Sequence, residues 1–590
     1  EGKSSTVAKK PVQKVIPRWR YYLVMVGLVA LPFVVAAKIA ELQVMPSEEK
    51  GADFLQTQGD DRSIRNEVIP AYRGLITDRN GEPLAMSIPV TTVTANPQHI
   101  DQLADADDVA RLAQALNIPL AQFKARLQRY RNKSFMVLAK HLLSTEAEKI
   151  LRLGVPGVEG IQEYKRFYPA GEVTAQLVGF TNIDDDGQEG MELAYNQWLT
   201  GEAGSKKVVK DRAGRIIKDI SLTKPARSGE SLRLSIDLRV QYAAYRALKA
   251  SVQKHQAKSG SVVVLDVETG EVLAMANQPS FNPNDRVNLR RDSVRNRAMT
   301  DMMEPGSTVK PFTLLAALES GKFKPDTVIQ TSPGYYKVAY KTFVDSKNYG
   351  ALDLAGILTK SSQVGTTKLA LEMNPDATRG LFERVGFGEG LGSGFPGETA
   401  GSLPGYRTWD PVTQATFAFG YGLSVSSLQM ARAYAVLANN GLRREVSLLA
   451  VDEIPEAQRV ADERWVREIR HMLQTATSAE GTGKRAMIDG YSVGGKTGTL
   501  HKTKATGGYD DSRYMSVFAG LSPVDNPRLV TIVVVDEPSD GSYFGGLVAA
   551  PVFSDVTGNA LRLLQVTPDQ LNVNRTVADV QKASKKREDS

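Results

Sequence analysis

Ser261-Val262-Val263-Val264-Leu265-Asp266, a Glu268-Thr269-Gly270 turn, and Glu271-Val272-Leu273-Ala274-Met275 read as the two strands of a hairpin. β-branched and large apolar residues fill both runs, and a glycine-ended connection this short returns the chain antiparallel. Working outward, Val240–Val252 has helical spacing. Beyond a long helical middle, Tyr514–Ala519 and Val530–Val535 are strand-like, and Val552–Leu564 suits a helix. Helix, hairpin, helical middle, strands and helix predict an α+β fold: one mostly antiparallel sheet with helices packed on it.

The chain has 590 residues, a prior of about four ordinary domains or two large ones. With 42% hydrophobic and 24% charged residues it is neither low-complexity nor fibrous. It has no cysteine, which removes disulfides, thiol nucleophiles and thiolate metal sites. The net charge of +7 is carried by the ends, +5 in residues 1–20 and +2 in residues 571–590. A nucleic-acid binder carries its basic excess on a folded face, so that class is disfavoured.

Tyr21–Ala37 is an uncharged run, YYLVMVGLVALPFVVAA, and Tyr21–Ala40 makes 20 residues. That length crosses ~30 Å of hydrocarbon as a helix. Pro32 is tolerable there, and Lys38 can snorkel. The run exceeds a signal-peptide core, so an anchor is expected over a cleaved leader. The basic residues precede it, which predicts a cytoplasmic N-terminus and everything after residue 40 outside. Residues 1–20 are then a cytoplasmic tail, 21–40 the span, and 41–62 a polar juxtamembrane linker. Residues 63–228 form a first outer domain, 229–570 a second, and 571–590, without apolar periodicity, a disordered tail. Within the first domain, Arg73–Asp78 reads as a strand before an Asn80-Gly81 turn, 106–153 as helical, and 157–225 as mixed.

Two motifs are decoys. Gly490–Thr497 fits G-x-x-x-x-G-K-[ST], but a phosphate loop must open a helix, and Thr497–Asp511 is rich in glycine and β-branched residues. Gly490–Gly494 fits G-x-S-x-G, but only His501 follows, too close for the usual order. No HExxH occurs, so a zinc protease is unsupported.

Three other motifs stand in order. Ser307-Thr308-Val309-Lys310 precedes an apolar helical run that stops at Gly321, and places Ser307 and Lys310 at i and i+3 on one face. A serine becomes nucleophilic when a base takes its proton, and a neutral lysine can be that base. Ser361-Ser362-Gln363 follows 54 residues after Ser307, and Lys496-Thr497-Gly498-Thr499 lies 135 residues after Ser361. This set is shared by β-lactamases and penicillin-binding proteins.

The chain resembles class B penicillin-binding proteins, in particular the division-specific peptidoglycan D,D-transpeptidases. Stretches carrying the resemblance include RGLITDRNGEPLA (73–85), RFYPAGEVTAQLVGF (166–180), GQEGMELAYNQWLTG (187–201), EPGSTVKPF (304–312), FGYGLSVS (419–426) and FGGLVAAPVF (544–553). The resemblance implies an extended α/β pedestal over 63–228, for dimerisation or partners, and a penicillin-recognising, serine β-lactamase-like transpeptidase domain over 229–570. It implies Ser307 as nucleophile, Lys310 as its base and Ser361 as proton relay. Backbone N–H groups of Ser307 and Thr499 would form an oxyanion hole. Lys496, with Thr497 and Thr499, would hold the substrate's terminal carboxylate, and Gly498 belongs to the same substrate-binding strand. Its implied partners are peptidoglycan stem peptides as D-Ala-D-Ala donor and amine acceptor, β-lactams, a membrane-embedded septal glycan polymerase of the FtsW type and other division proteins, at a bacterial inner membrane with the catalytic domain periplasmic. No metal or organic cofactor is needed. One residue departs from the family pattern: Gln363 stands where Ser-x-Asn is usual, carrying the carboxamide ~1.5 Å further. Glu304 is expected to be structural, as acids at helix starts are. Competing readings are an elongation-type transpeptidase, a β-lactamase or β-lactam sensor, and a division scaffold in which catalysis is secondary.

Overall fold

The computed structural model describes residues 17–43, 64–210, 216–405, 408–504 and 507–570. Most of the expected N-terminal tail and linker, and the whole 571–590 tail, lie outside the described residues. The apolar run forms the Arg18–Gln43 helix, 26 residues long with Pro32 inside. At 1.5 Å per residue it is ~39 Å long, enough to cross a bilayer. Its described side chains are all exposed. An apolar helix with no protein against it fits a single-pass membrane segment.

The hairpin is the start of a five-stranded antiparallel sheet. Its order is Val272–Gln278, Ser259–Asp266, Leu529–Asp536, Tyr509–Ser522, Gly494–Thr503. Register follows from pairs such as Val263 with Ile532, Phe518 with Val533, and Thr497 with Phe518. Every residue of the two hairpin strands is buried, because helices cover both faces. Val263, Leu265, Ile532 and Val517 pack with the helices Lys310–Glu319, Ser427–Ala438 and Glu463–Thr477. Val262, Val264, Phe518 and Val533 pack with Leu238–Lys254 and Gly545–Leu563. Side chains of a strand alternate between faces, so a strand buried on both reads as an unbroken apolar run.

Compactness does not follow chain order. Residues 71–90 and 163–202 belong to the body formed by the chain from 228 onward, while 91–162 and 203–227 belong to another. The expected boundary between 228 and 229 divides the chain linearly, whereas each body draws on several separate segments of it. In the larger body, Ile76–Thr77 pairs parallel with Leu232–Arg233. A buried ion cluster joins the early segments: Glu192 accepts 2.6 Å hydrogen bonds from Arg73 Nε and from Arg166 Nε. Arg73 also donates to the carbonyls of Asp185 and Glu192 and to Thr200 Oγ1. Three of the stretches carrying the resemblance thus meet at one carboxylate.

The smaller body corrects one expectation. Its helices Ala106–Ala115, Leu120–Tyr130 and Ser144–Leu151 are interrupted by a strand, Met136–Leu142. Met136 and Leu138 are buried and Val137 and Ala139 less so; this period of two, over a few residues, was masked by helical spacing on either side.

Removing one partner from a buried ion cluster leaves uncompensated charge, at about 3–5 kcal/mol. Glu192→Ala, which strands two guanidinium groups, is expected to lower stability by that amount in urea unfolding. A loss below about 1 kcal/mol would show that the cluster is not closed to water.

Candidate active site

Ser307 sits on a single 3₁₀ turn, Gly306–Val309, and the α-helix begins at Lys310. Gly306 makes this entry possible. Its φ is +53°, and a Cβ there would lie 2.0 Å from Leu500 Cδ2. Leu500 belongs to the Gly494–Thr503 strand, so the glycine allows the nucleophile's turn to close against the sheet edge. Gly498 does the same from the other side, since a Cβ on it would meet the Thr308 methyl at 3.1 Å.

The middle motif is the junction of two helices. Ser361 ends Leu354–Lys360 in a left-handed conformation, φ +55°. Ser362 caps Gln363–Glu372, its hydroxyl accepting from Gly365 N. The strained Ser361 turns both its oxygens toward Lys310, whose Nζ donates to the Ser361 carbonyl at 2.7 Å and to Ser361 Oγ at 3.2 Å. Ser307 Oγ has no hydrogen-bond partner among the described residues and is partly exposed. The Ser307 hydroxyl is therefore free, and the Lys310 amine one turn along is held on Ser361.

Asp345 was not singled out by any sequence motif. It accepts from Ser362 Oγ at 2.6 Å, from Gln363 N at 2.6 Å and from Val364 N at 3.1 Å, so it fixes the junction carrying Ser361. Nothing near it in the chain marks it, because its role comes from a fold contact with residues 17 to 19 positions on. Glu304 is not a helix-end acid. It accepts from Gly422 N at 2.9 Å and from the Tyr509 hydroxyl at 3.0 Å, tying a loop and the start of the Tyr509–Ser522 strand to the approach to Ser307.

Lys310 and Lys496 are both fully buried. Burial draws the Lys310 ammonium down to about 7, against an opposing pull from Asp345. Burial also holds Lys496 well below the ordinary lysine range, and the neighbouring charge of Lys310 adds to it. Lys496 Nζ donates to its neighbour's carbonyl, Thr497 O, at 3.2 Å. Thr497 Oγ1 donates to Thr482 Oγ1 at 2.9 Å, and Thr499 Oγ1 accepts from Gly545 N at 3.1 Å.

A cavity of about 500 Å³ brings together Ser307, Ser361, Gln363, Thr497 and Thr499; Lys310 and Lys496 touch it only through their hydrogen bonds to Ser361 and Thr497. The Gln363 carboxamide lines it with no hydrogen-bond partner among the described residues. The Gly494–Thr503 strand is the sheet edge, so an extended peptide can add to it. The arrangement sets a free serine hydroxyl, a second serine hydroxyl and two buried amines beside one open strand. Among the described residues, no group of His, Asp or Glu could hold a metal ion.

The chain matches two families, described as Penicillin binding protein transpeptidase domain over residues 260–558 and Penicillin-binding Protein dimerisation domain over 68–234. It is 42% identical to the Probable peptidoglycan D,D-transpeptidase PbpC of Pseudomonas aeruginosa, over 95% of this chain and 98% of that one. It is 41% identical to the Peptidoglycan D,D-transpeptidase FtsI of Escherichia coli, over 94% and 93%. Among solved structures, the TP domain of Burkholderia pseudomallei penicillin-binding protein 3 matches with a TM-score of 0.53 and 40% identity, over 57% of this chain and 98% of that one.

Asp345 raises the proton affinity of Lys310, so Asp345→Asn is expected to make the amine lose its proton at lower pH. In ¹³C NMR of lysine-labelled protein, the Lys310 Cε resonance should titrate near pH 7 in the parent and lower in the variant. An upward shift would overturn the electrostatic assignment.

Proposed function

Because the chain belongs to the penicillin-binding proteins that carry a dimerisation and a transpeptidase domain, we propose that it is a peptidoglycan D,D-transpeptidase of the division-specific type, cross-linking septal stem peptides through an acyl-enzyme on Ser307. The observation that carries the reaction is a free serine hydroxyl, one helical turn from a buried lysine of depressed proton affinity, in a cavity on an open strand edge. Relatives named FtsI support the division role over an elongation role, and relatives named as transpeptidases support it over a β-lactamase.

In this reading the donor peptide adds along Gly494–Thr503, its terminal carboxylate held by Lys496, Thr497 and Thr499, with Gly498 keeping the strand close to Ser307. Neutral Lys310 takes the proton of Ser307 Oγ as the oxygen attacks the carbonyl between the two D-alanines. The backbone N–H groups of Ser307 and Thr499 hold the oxyanion. Lys310 returns the proton through Ser361 Oγ to the leaving nitrogen, and D-alanine departs. An amine of a second stem peptide then attacks the ester, Ser307 Oγ regains a proton, and the new amide is the cross-link. A β-lactam enters the same path and stops at the ester. The Gln363 carboxamide faces the bound peptide.

The basic residues ahead of the apolar helix support a cytoplasmic N-terminus and a periplasmic catalytic body. The family resemblance supports an FtsW-type septal glycan polymerase and other division proteins as partners.

Mass spectrometry after incubation with penicillin tests the assignment. One adduct on Ser307 is expected, absent from Ser307→Ala; an adduct that survives this substitution refutes the nucleophile. Lys310→Arg is expected to be as inactive as Lys310→Ala, because a guanidinium does not give up its proton; near-normal acylation would make Lys310 an electrostatic partner only. Gln363→Ala is expected to slow acylation about two- to twelve-fold, the worth of one hydrogen bond realised in the transition state, and Gln363→Asn to be tolerated. A Gln363→Ala protein matching the parent with a chromogenic β-lactam would leave Ser361 as the whole middle motif.

A further inference from the structure

One end of the cavity is basic, and the reaction above does not use it. Lys360, Lys484 and Arg485 line it together with Thr482. Lys484 and Arg485 belong to a one-turn 3₁₀ helix, Lys484–Ala486. Its backbone is pinned: Ala486 is fully buried, Gly483 N donates to the Ala476 carbonyl at 3.0 Å, and Ala486 N donates to the Gly483 carbonyl at 2.8 Å. The two side chains are exposed and have no hydrogen bond or ion pair among the described residues. Lys360 is engaged more loosely, donating to the Glu480 carbonyl at 3.2 Å beside a Glu480 side chain that is 84% exposed. The one acid lining the cavity is Asp345, and its two oxygens already accept three hydrogen bonds. Lys360 is ion-paired with Glu480 at 3.7 Å, so the uncompensated cations lining the cavity are Lys484 and Arg485 among the described residues, and in a chain body that is otherwise neutral in charge they are a specific feature.

Their position along the strand identifies what they meet. Thr499 lies nearest the reacting carbonyl in the proposed reaction, and Lys496 and Thr497 hold the carboxylate of the residue that leaves. Thr497 Oγ1 is 2.9 Å from Thr482 Oγ1, and Lys484 and Arg485 come two and three residues later. The basic end therefore lies beyond the leaving residue, away from the rest of the donor, which continues toward Leu500. The attacking amine enters from the side the leaving group vacates, because the second half-reaction reverses the geometry of the first. That end receives the acceptor.

We propose that Lys484 and Arg485, with Lys360 lining the same cavity, form a carboxylate-binding subsite for the acceptor peptide, so that the enzyme selects an acceptor that is anionic near its reacting amine. The inference rests on the transpeptidase reading and adds the charge class of the second substrate. Arg485 presents a fork suited to a carboxylate, and Lys484 adds a mobile point charge. Both are solvent-facing, so the subsite acts partly by attraction over several ångströms and weakens with salt.

The test uses the full chain in detergent, a thioester donor, and a stem-peptide acceptor with a free side-chain amine, prepared with its carboxylates either free or amidated. The readout is the ratio of acceptor KM values, amidated over free. In the parent the ratio is expected to be about ten, the range of one or two charge-assisted hydrogen bonds at an exposed site, and to fall when salt is raised. In K484Q/R485Q it should fall to about one, and in the charge-preserving K484R/R485K it should stay near the parent value. A ratio near one in the parent, or one unchanged in K484Q/R485Q, overturns the subsite. Penicillin labelling of Ser307, run in parallel, reports on the acyl-transfer reading alone. A protein that labels normally and fails to discriminate acceptors refutes this inference and leaves the other standing.

Discussion

Two primary amines buried in one water-poor site are the constraint around which the catalytic body is arranged. A buried ammonium is disfavoured, and a second beside it more so. Lys310 and Lys496 reach full burial because one projects from a helix start and the other from a strand edge, drawn together by the absence of side chains at Gly306 and Gly498. The pair holds fewer protons than two free lysines would. In the proposed reaction the substrate's terminal carboxylate meets Lys496, whose charged form burial and the neighbouring Lys310 both disfavour. Asp345 works in the opposite sense, favouring the protonated form of Lys310.

Much of this could be read from the chain, for identifiable reasons. The Ser261–Met275 hairpin is local, and both its strands are buried on two faces, so composition alone marks it. Ser307 and Lys310 are three residues apart, and their relation is a helical turn. Lys496, Thr497 and Thr499 lie on one strand and need no tertiary knowledge to be placed together. What escaped was non-local. Asp345 is tied to Ser362 by a loop closure that no motif encodes. Glu304 looks like any acid before a helix until Gly422 and Tyr509 are folded against it. The Arg73–Glu192–Arg166 cluster joins residues up to 119 positions apart, and the Met136–Leu142 strand is too short to override the helical pattern around it.

The departure at Gln363 has a structural setting. Its backbone N–H is clamped by Asp345 at 2.6 Å, so the start of its helix is fixed whatever side chain it carries. The longer arm must be absorbed in the cavity, where the carboxamide meets open space instead of a protein partner. A change that would break a tightly packed site is therefore accommodated in this one.

The order of strands in the central sheet bears on how the protein is made. Ser259–Asp266 is paired on one side by the hairpin that follows it and on the other by Leu529–Asp536, more than 250 residues later in the chain. During synthesis the hairpin emerges early and waits with one flank open until nearly the whole polypeptide has appeared. Glu192 and its two arginines are likewise complete well before the body they help to build. Contacts so distant in sequence make for slow assembly with exposed strand edges. The apolar Val262–Leu265 run is then the segment most in need of protection by a folding helper while translation finishes. A chain cut just before residue 529 would carry Ser307 and Lys310 on a sheet that has lost its middle strand.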